Sequence, residues 1–425
     1  MIVGAGPAGL TAAATLAAAG AGRVEVLERD PAPGGVPRHC AHGGFGAALL
    51  PWRPLDGPEY ARNLADAAVR AGASIRTGVT ATGWPAEGPG PAAWEPGRPE
   101  ERVASPAESL TLDVTGPGGL ERITARAVLL ATGARERPRS ARLVPGARAA
   151  GVLTAGELQQ SVNLYRMRGD AIGRRAVVVG AGPVAPHAAR TLRDAGLEVV
   201  ARVTEGQPPS TYRRGLTTDR VPVPLLAWTT VTGLVGQGRI TGVTVRHRGG
   251  RTGTLACDTV VFTDDWIPHH ELARAGGVAL DPATRGPVAD GAFRTSVPGV
   301  FAAGNVLRGI ESAAVAAREG RDAAYAVLRH LAGAPWPSRT VPLVVEPPLL
   351  WVSPNRIDAP LARRPFLLRP AEPLGLPVLV AVQDGRLLLR TRRLTALDPS
   401  RSVRIAPHWA HAVDPEGGPV VLRTR

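Results

Sequence analysis

Gly4, Gly6 and Gly9 stand in the pattern G-x-G-x-x-G, directly after the short apolar run Met1-Ile2-Val3. Bare backbone at these points lets the chain turn sharply at the first glycine, approach a pyrophosphate at the second and pack a helix closely at the third. Pro7 and Ala8 fall in the first helical turn, where the N–H that proline lacks has no intrahelical partner to lose. The helix N-terminus then presents free N–H groups and a partial positive charge to phosphates. Glu28 lies 19 residues after Gly9, at the end of the next apolar run, where a carboxylate can accept from ribose hydroxyls.

The pattern returns as Gly180-Ala181-Gly182-Pro183-Val184-Ala185, with Ala185 in the place of the third glycine. Counting six residues from the turn that ends each helix, Gly22 leads to Glu28 but Gly196 leads to Arg202. An arginine there can pair with a 2′-phosphate, which would favour NADPH over NADH. It can equally be a solvent-facing residue of a decayed second site.

Between these turns, Val36 to Gly46 gathers His39, Cys40 and His42 with Phe45 and several glycines. Loops leaving the carboxyl ends of strands face the ligand in doubly wound sheets. Cys40 there is either a single redox thiol cycling through a sulfenic acid or a small buried residue. His39 and His42 are either proton donors, since histidine titrates near neutral pH, or hydrogen-bonded loop residues. The three are too tightly spaced for a tetrahedral zinc site, and no metal site is expected. Asp264, Asp265, His269 and His270 read as a polar turn, and Cys257 as structural. With only these two cysteines and no CxxC, a dithiol motif and a cysteine-ligated cluster within this chain are excluded.

The elements that must carry these residues follow from periodicity and turn chemistry. Residues 24–28, 74–82, 127–133 (ending in a tight turn), 176–179, 197–203, 258–263 and 298–305 read as strands. Residues 58–71 and 311–331 read as helices, the first with Tyr60, Leu64, Ala67 and Ala68 on one face. Leu110–Val114 and Glu121–Thr124 form a hairpin around Gly116-Pro117-Gly118-Gly119. Residues 84–108, rich in proline, glycine and glutamate and without period, read as an exposed insertion. Shorter strands are expected over 221–262. From Pro335 the texture becomes proline-rich with short apolar strands, a small β-rich domain with no interpretable motif. The first strand has almost nothing ahead of its glycine, which points to a start codon placed too far downstream.

A chain of 425 residues with 44% hydrophobic content suits a globular protein of two or three domains. No apolar run reaches the ~18 residues of a membrane span. No charged segment followed by an apolar one marks a signal peptide, so a cytoplasmic location is expected. The formal charge is +14 and every basic residue is arginine. The arginines are scattered without interleaved aromatics, which argues against nucleic acid but leaves room for an acidic substrate or partner.

Four signals in order, GAGPAG at 4–9, ATG at 131–133, GAGPVA at 180–185 and PGVFAAGN at 298–305, resemble the two-dinucleotide-binding-domain flavoproteins of the pyridine nucleotide-disulfide oxidoreductase-like superfamily. The resemblance covers residues 1–333. It implies an α/β fold of two Rossmann-like domains, with the FAD domain in two segments (1–156 and 285–333), an NAD(P)-binding-like domain inserted at 157–284, and the β-rich domain at 335–425. By motif, Gly4, Gly6, Pro7, Ala8 and Gly9 would hold the FAD pyrophosphate, Glu28 and Arg29 the adenosine end, and Gly35, Thr132 and Gly133 the chain near the flavin. Gly304 and Asn305 would reach the ribityl-phosphate region, and Gly180, Gly182, Ala185 and Arg202 would hold NAD(P)H. Asn305 replaces the usual aspartate, keeping an acceptor without the charge. The redox-active cysteine pair is missing. Residues 34–40 look more like flavoprotein subunits of dye-linked dehydrogenases acting on amino acids, hydroxyproline or opines. The implied function is an FAD-dependent oxidoreductase moving hydride or electrons between a pyridine nucleotide and a small-molecule or protein acceptor. The alternative is a flavin-bearing electron-transfer subunit of a hetero-oligomer with a vestigial NAD(P) site. Either would act with a partner dehydrogenase or iron–sulfur subunit.

Overall fold

The computed structural model describes residues 1–46, 55–85, 109–207, 223–358 and 364–425. The chain forms two compact units, one of residues 1–38, 44–134 and 268–425, the other of 39–43 and 135–267. Most of the stretch expected as an exposed insertion, residues 86–108, lies outside the described residues.

The chain begins with β1 (Ile2–Val3), α1 (Pro7–Ala18) and β2 (Glu25–Glu28), followed by α2 (Gly57–Arg70), β3 (Ser74–Thr77) and β4 (Val128–Leu130). Asp56 caps α2 by accepting from the Glu59 N–H at 2.7 Å, and Glu59 and Arg70 place acid at its start and base at its end, each complementing the helix dipole. The hairpin forms as expected, slightly longer, from Leu110–Gly116 and Gly119–Ala125.

The second unit contains β5 (Val152–Thr154), α3 (Ala155–Gln159), β6 (Arg175–Val179), α4 (Val184–Asp194), β7 (Glu198–Val203), β8 (Leu225–Leu226) and β9 (Thr259–Phe262). Its strands align in the order β5-β9-β6-β7-β8, and every pairing is parallel. Strands Thr229–Gln237, Arg239–His247 and Thr252–Ala256 add a three-stranded antiparallel sheet.

On its return to the first unit the chain adds β10 (Val300–Ala302) and α5 (Ala313–Leu331). β10 completes a five-stranded parallel sheet in the order β10-β4-β1-β2-β3. Both segments are therefore needed for one sheet. The exchange between units falls at Ala134 and Pro268, earlier than the expected 156 and 285. The reason is hydrogen bonding: Val152, Leu153 and Thr154 pair with Val260, Val261 and Phe262 of β9 in the second sheet.

Residues 341–424 form two further sheets around a core of their own, which includes Leu343, Trp409 and Leu422. This region clusters with the first unit. A cavity of about 630 Å³ in that unit is lined by Met1, Glu25, Arg76 and Ala127; it contains none of the glycine-turn residues. No described helix is long and apolar enough to cross a membrane.

Candidate functional site

The first glycine turn has two glycines that serve the fold and one that faces open space. Gly4 has φ +103°, and a Cβ there would lie 2.5 Å from the Ala131 carbonyl oxygen. A Cβ on Gly9 would overlap the Gly4 carbonyl. Among the described residues nothing lies within 4 Å of the Cβ position of Gly6. Gly6 is also the N-cap of α1 and offers no side chain to the helix's first N–H groups. Pro7 opens the helix and Ala8 is buried within it. Uncapped N–H groups beside open space are the cradle a pyrophosphate requires.

The surrounding loop is fixed on this turn. Gly35, at φ +60°, brings its Cβ position to 2.9 Å from Gly6 Cα, and the Gly34 N–H donates to the Ala5 carbonyl at 2.8 Å. Arg38 donates to Asp30 at 3.1 Å and to the Ala32 carbonyl at 2.7 Å. Glu28 is buried, and its carboxylate accepts from the N–H groups of Ala5 at 2.8 Å and Asp30 at 2.9 Å. The residue read as a ribose partner thus also holds the turn. Arg29 beside it is exposed.

Thr132, Gly133, Gly304 and Asn305 follow the ends of β4 and β10. The Thr132 hydroxyl donates to the His269 carbonyl at 2.6 Å, and the Cβ position of Gly133, at φ +74°, is open. The Gly304 N–H donates to Glu319 at 3.1 Å. Asn305 uses both ends of its carboxamide on one residue: Oδ1 accepts from the Glu311 N–H at 2.9 Å and Nδ2 donates to the Glu311 carbonyl at 3.3 Å. An aspartate could make only the first of these bonds, which accounts for asparagine at this position. The C-terminal region buttresses the same loop. Arg369 donates to the Ile310 carbonyl at 3.0 Å and to the Glu311 carboxylate at 3.2 Å. The fully buried Arg308 bridges Glu319 and Ser353.

His39, Cys40 and His42 belong to the second unit. The Cys40 thiol is buried and donates to Gln159 Oε1 at 3.4 Å. Burial, with the charge of Glu136 adding to it, pushes its pKa up to about 12. A thiol held protonated is a poor nucleophile, and this burial is what the reading of Cys40 as a small buried residue expects. Asn163 donates to the carbonyl of the buried His39 at 2.7 Å. His42 stacks on His187 with ring centroids 3.7 Å apart. Burial, then His42 and Arg190, lower the His187 pKa to about 4. Cys257 is buried and free, as a structural residue would be.

The second glycine turn differs from the first. The carboxylate of Asp264 accepts from the Gly182 N–H at 2.6 Å and from the Ala181 N–H. Ala185 is fully buried in α4. Arg202 is 2% exposed, which is not the position of a solvent-facing residue.

Three residues of consequence escape sequence reasoning. Asp264 reads there only as part of a polar turn. Gly320 admits α1, since its Cβ would overlap the Ala8 carbonyl; the four-residue spacing from Ala316 is the available signal. Glu136 is buried, accepts from the Gly156 N–H at 2.6 Å, and has its pKa raised to about 7 by burial; nothing in its sequence surroundings marks it. Among the described residues no acidic, histidine or cysteine cluster could hold a metal.

Comparison with known proteins bears on this geometry. The family described as pyridine nucleotide-disulphide oxidoreductase matches residues 1–320. One subunit of the opine oxidase of Agrobacterium tumefaciens is 28% identical over 78% of this chain and 65% of its own length. The corresponding opine oxidase subunit of Rhizobium meliloti is 31% identical over 78% of this chain and 62% of its own length. The chain thus spans less than two thirds of these relatives. The alpha subunit of Rhizobium meliloti sarcosine oxidase is 31% identical over 79% of this chain and 31% of its own length. Among solved structures, thioredoxin reductase of T. acidophilum aligns with a TM-score of 0.58 at 24% identity, covering 77% of this chain and 97% of its own. L-proline dehydrogenase of P. horikoshii aligns at 0.54 and 19% identity, covering 79% and 56%. These two likenesses establish the fold, which is α/β with two dinucleotide-binding domains.

Proposed function

The chain belongs to the pyridine nucleotide-disulphide oxidoreductase family, and from that premise we propose that it is the FAD-carrying subunit of an oxidoreductase that acts with a partner subunit. The observation that carries this reading is the open Gly6 at an uncapped helix N-terminus. Gly4, Gly6 and the first turn of α1 would hold the FAD pyrophosphate, with Glu28 keeping the turn in shape. Gly133, Gly304 and Asn305 would border the ribityl and flavin portion. When bound, FAD supplies hydride and electron transfer, and the chain positions it and excludes water. The disulfide chemistry in the family's name is not carried over, because the sequence has only two cysteines, Cys40 and Cys257, far apart in the chain and in no CxxC pattern, and both are buried.

Names of the relatives support the substrate class. Opine oxidase and sarcosine oxidase both denote proteins acting on N-substituted amino acids, so a small secondary amino acid is the proposed electron donor of the assembled enzyme. The same names, being those of subunits, support a partner chain, and with two cysteines here any iron–sulfur cluster would sit on it. Two routes for electrons compete. In one, a pyridine nucleotide on the second turn exchanges hydride with the flavin. In the other, the flavin relays electrons between partner subunits and the second turn is vestigial. Asp264 on the N–H groups of that turn favours the relay.

Anaerobic spectra separate these routes. Purified protein should show a flavin band. The relay reading expects NADH and NADPH to leave the band intact, whereas a secondary amino acid bleaches it once the partner is present. Rapid bleaching by either nicotinamide nucleotide would select the first route, and the preference between NADPH and NADH could then be measured directly.

A further inference from the structure

The two glycine turns share one backbone design and differ in what meets it. At Gly6 no described residue comes within 4 Å of where a side chain would begin. At the equivalent Gly182 a Cβ would lie 2.5 Å from Asp264 Oδ1, and at Gly180 it would overlap Asp264 Oδ2 and the Thr263 hydroxyl. We propose that Asp264 is an internal stand-in for the dinucleotide phosphate, and that it sets the second turn against pyridine nucleotides.

The geometry supports this in three ways. Asp264 Oδ2 accepts from the Gly182 N–H at 2.6 Å, the group a pyrophosphate oxygen would use. The residue sits at φ +70°, a left-handed conformation that aspartate tolerates better than most residues, and that conformation directs the carboxylate back onto the turn. Arg142 donates to the carbonyls of Thr263 at 2.9 Å and Arg137 at 2.8 Å, fixing a cation beside the carboxylate. The glycines at 180 and 182 are thus required by a side chain of this protein whether or not a ligand ever approaches. A phosphate and the Asp264 carboxylate cannot accept from the same N–H groups at once, and at such separation two anions repel. A pyridine nucleotide can enter only by displacing Asp264.

This inference rests on the two-nucleotide architecture but is independent of what the flavin reacts with. The test is titration of the full-length protein with NADH and NADPH by calorimetry, for wild type and Asp264→Gly; glycine accepts the positive φ without strain. The expected result is at least tenfold tighter binding by D264G of one or both nucleotides, with flavin content unchanged. Equal affinity of the two proteins, or micromolar binding by wild type that D264G does not improve, would overturn the proposal. Flavin content is read separately, so loss of the flavin reading and loss of this one are distinguishable. A second measurement covers poor folding of either variant. Gly182→Ala should lower the melting temperature in wild type, where its methyl meets Asp264, and leave it nearly unchanged in the D264G background. An equal loss in both backgrounds would also overturn the proposal.

Discussion

Glycines in one motif do different work, and substitution can separate their roles. Gly6 has ordinary extended φ and ψ of −81° and −175° with open space beyond it, so Gly6→Ala should leave the apoprotein within about 0.5 kcal/mol of wild type. It should weaken FAD binding at least tenfold by placing a methyl in the phosphate space. Gly9→Ala places its methyl on the Gly4 carbonyl and should destabilise the fold itself, by roughly 2–3 kcal/mol. Denaturant unfolding of both apoproteins, with FAD titration, checks the contrast; comparable loss of stability in the two would remove the functional assignment of Gly6. The glycine spacing and Glu28 were legible in the sequence because a turn of this kind restricts residue type at each position. Asp264 was not, since its role comes from a loop 82 residues beyond Gly182 folding back onto the turn. The surroundings of Cys40 were not legible either, since its hydrogen-bond partner Gln159 and the charge of Glu136 that raises its pKa come from residues remote in sequence.

At the scale of elements, α4 carries a pH dependence. His187 in the folded chain has a pKa near 4, against about 6.5 when unfolded. Between these values the unfolded chain binds a proton that the folded chain refuses, so this residue's contribution to stability falls as pH drops from about 6.5 toward 4. Glu136 acts oppositely: its raised pKa, about 7, lets the folded chain take up a proton first, so stability rises as pH drops from 7 toward 4.5. The two must be separated by variants. His187→Asn should flatten the acid-side loss in melting temperature relative to wild type between pH 7 and pH 5, and Glu136→Gln should steepen it. Identical profiles for wild type and His187→Asn would contradict the assignment. Helices and strands were largely legible. α2 and the 110–125 hairpin appear within one or two residues of expectation, because each combines a period with its own cap or turn. The sheet that takes β5 was not legible, because three residues, Val152 to Thr154, carry no signal of which partner strand they will meet.

At the scale of the molecule, the role of residues 335–425 was illegible in sequence, having no motif. The structure gives them a mechanical one. Arg369 reaches the Ile310 carbonyl and the Glu311 side chain, and Arg308 joins Ser353 to Glu319. These contacts hold the loop that follows Gly304 and Asn305. Arg369→Ala would leave Glu311, whose side chain is 7% exposed, without its cation, and should cost on the order of 3 kcal/mol. FAD affinity should fall with it, and calorimetry with and without FAD measures both; a stable variant with normal FAD affinity would leave the C-terminal region without this role. The +14 charge, its basic side carried wholly by arginine, suits association with an acidic partner chain, an association that rising salt should weaken.

The proposed function depends on flavin being held by the first glycine turn. The direct measurement is the FAD content of the purified full-length protein, taken from its absorbance spectrum before and after incubation with excess FAD. The expected result is one FAD per chain with a resolved flavin band. Colourless protein that takes up no FAD on reconstitution, while remaining folded by circular dichroism, would contradict it.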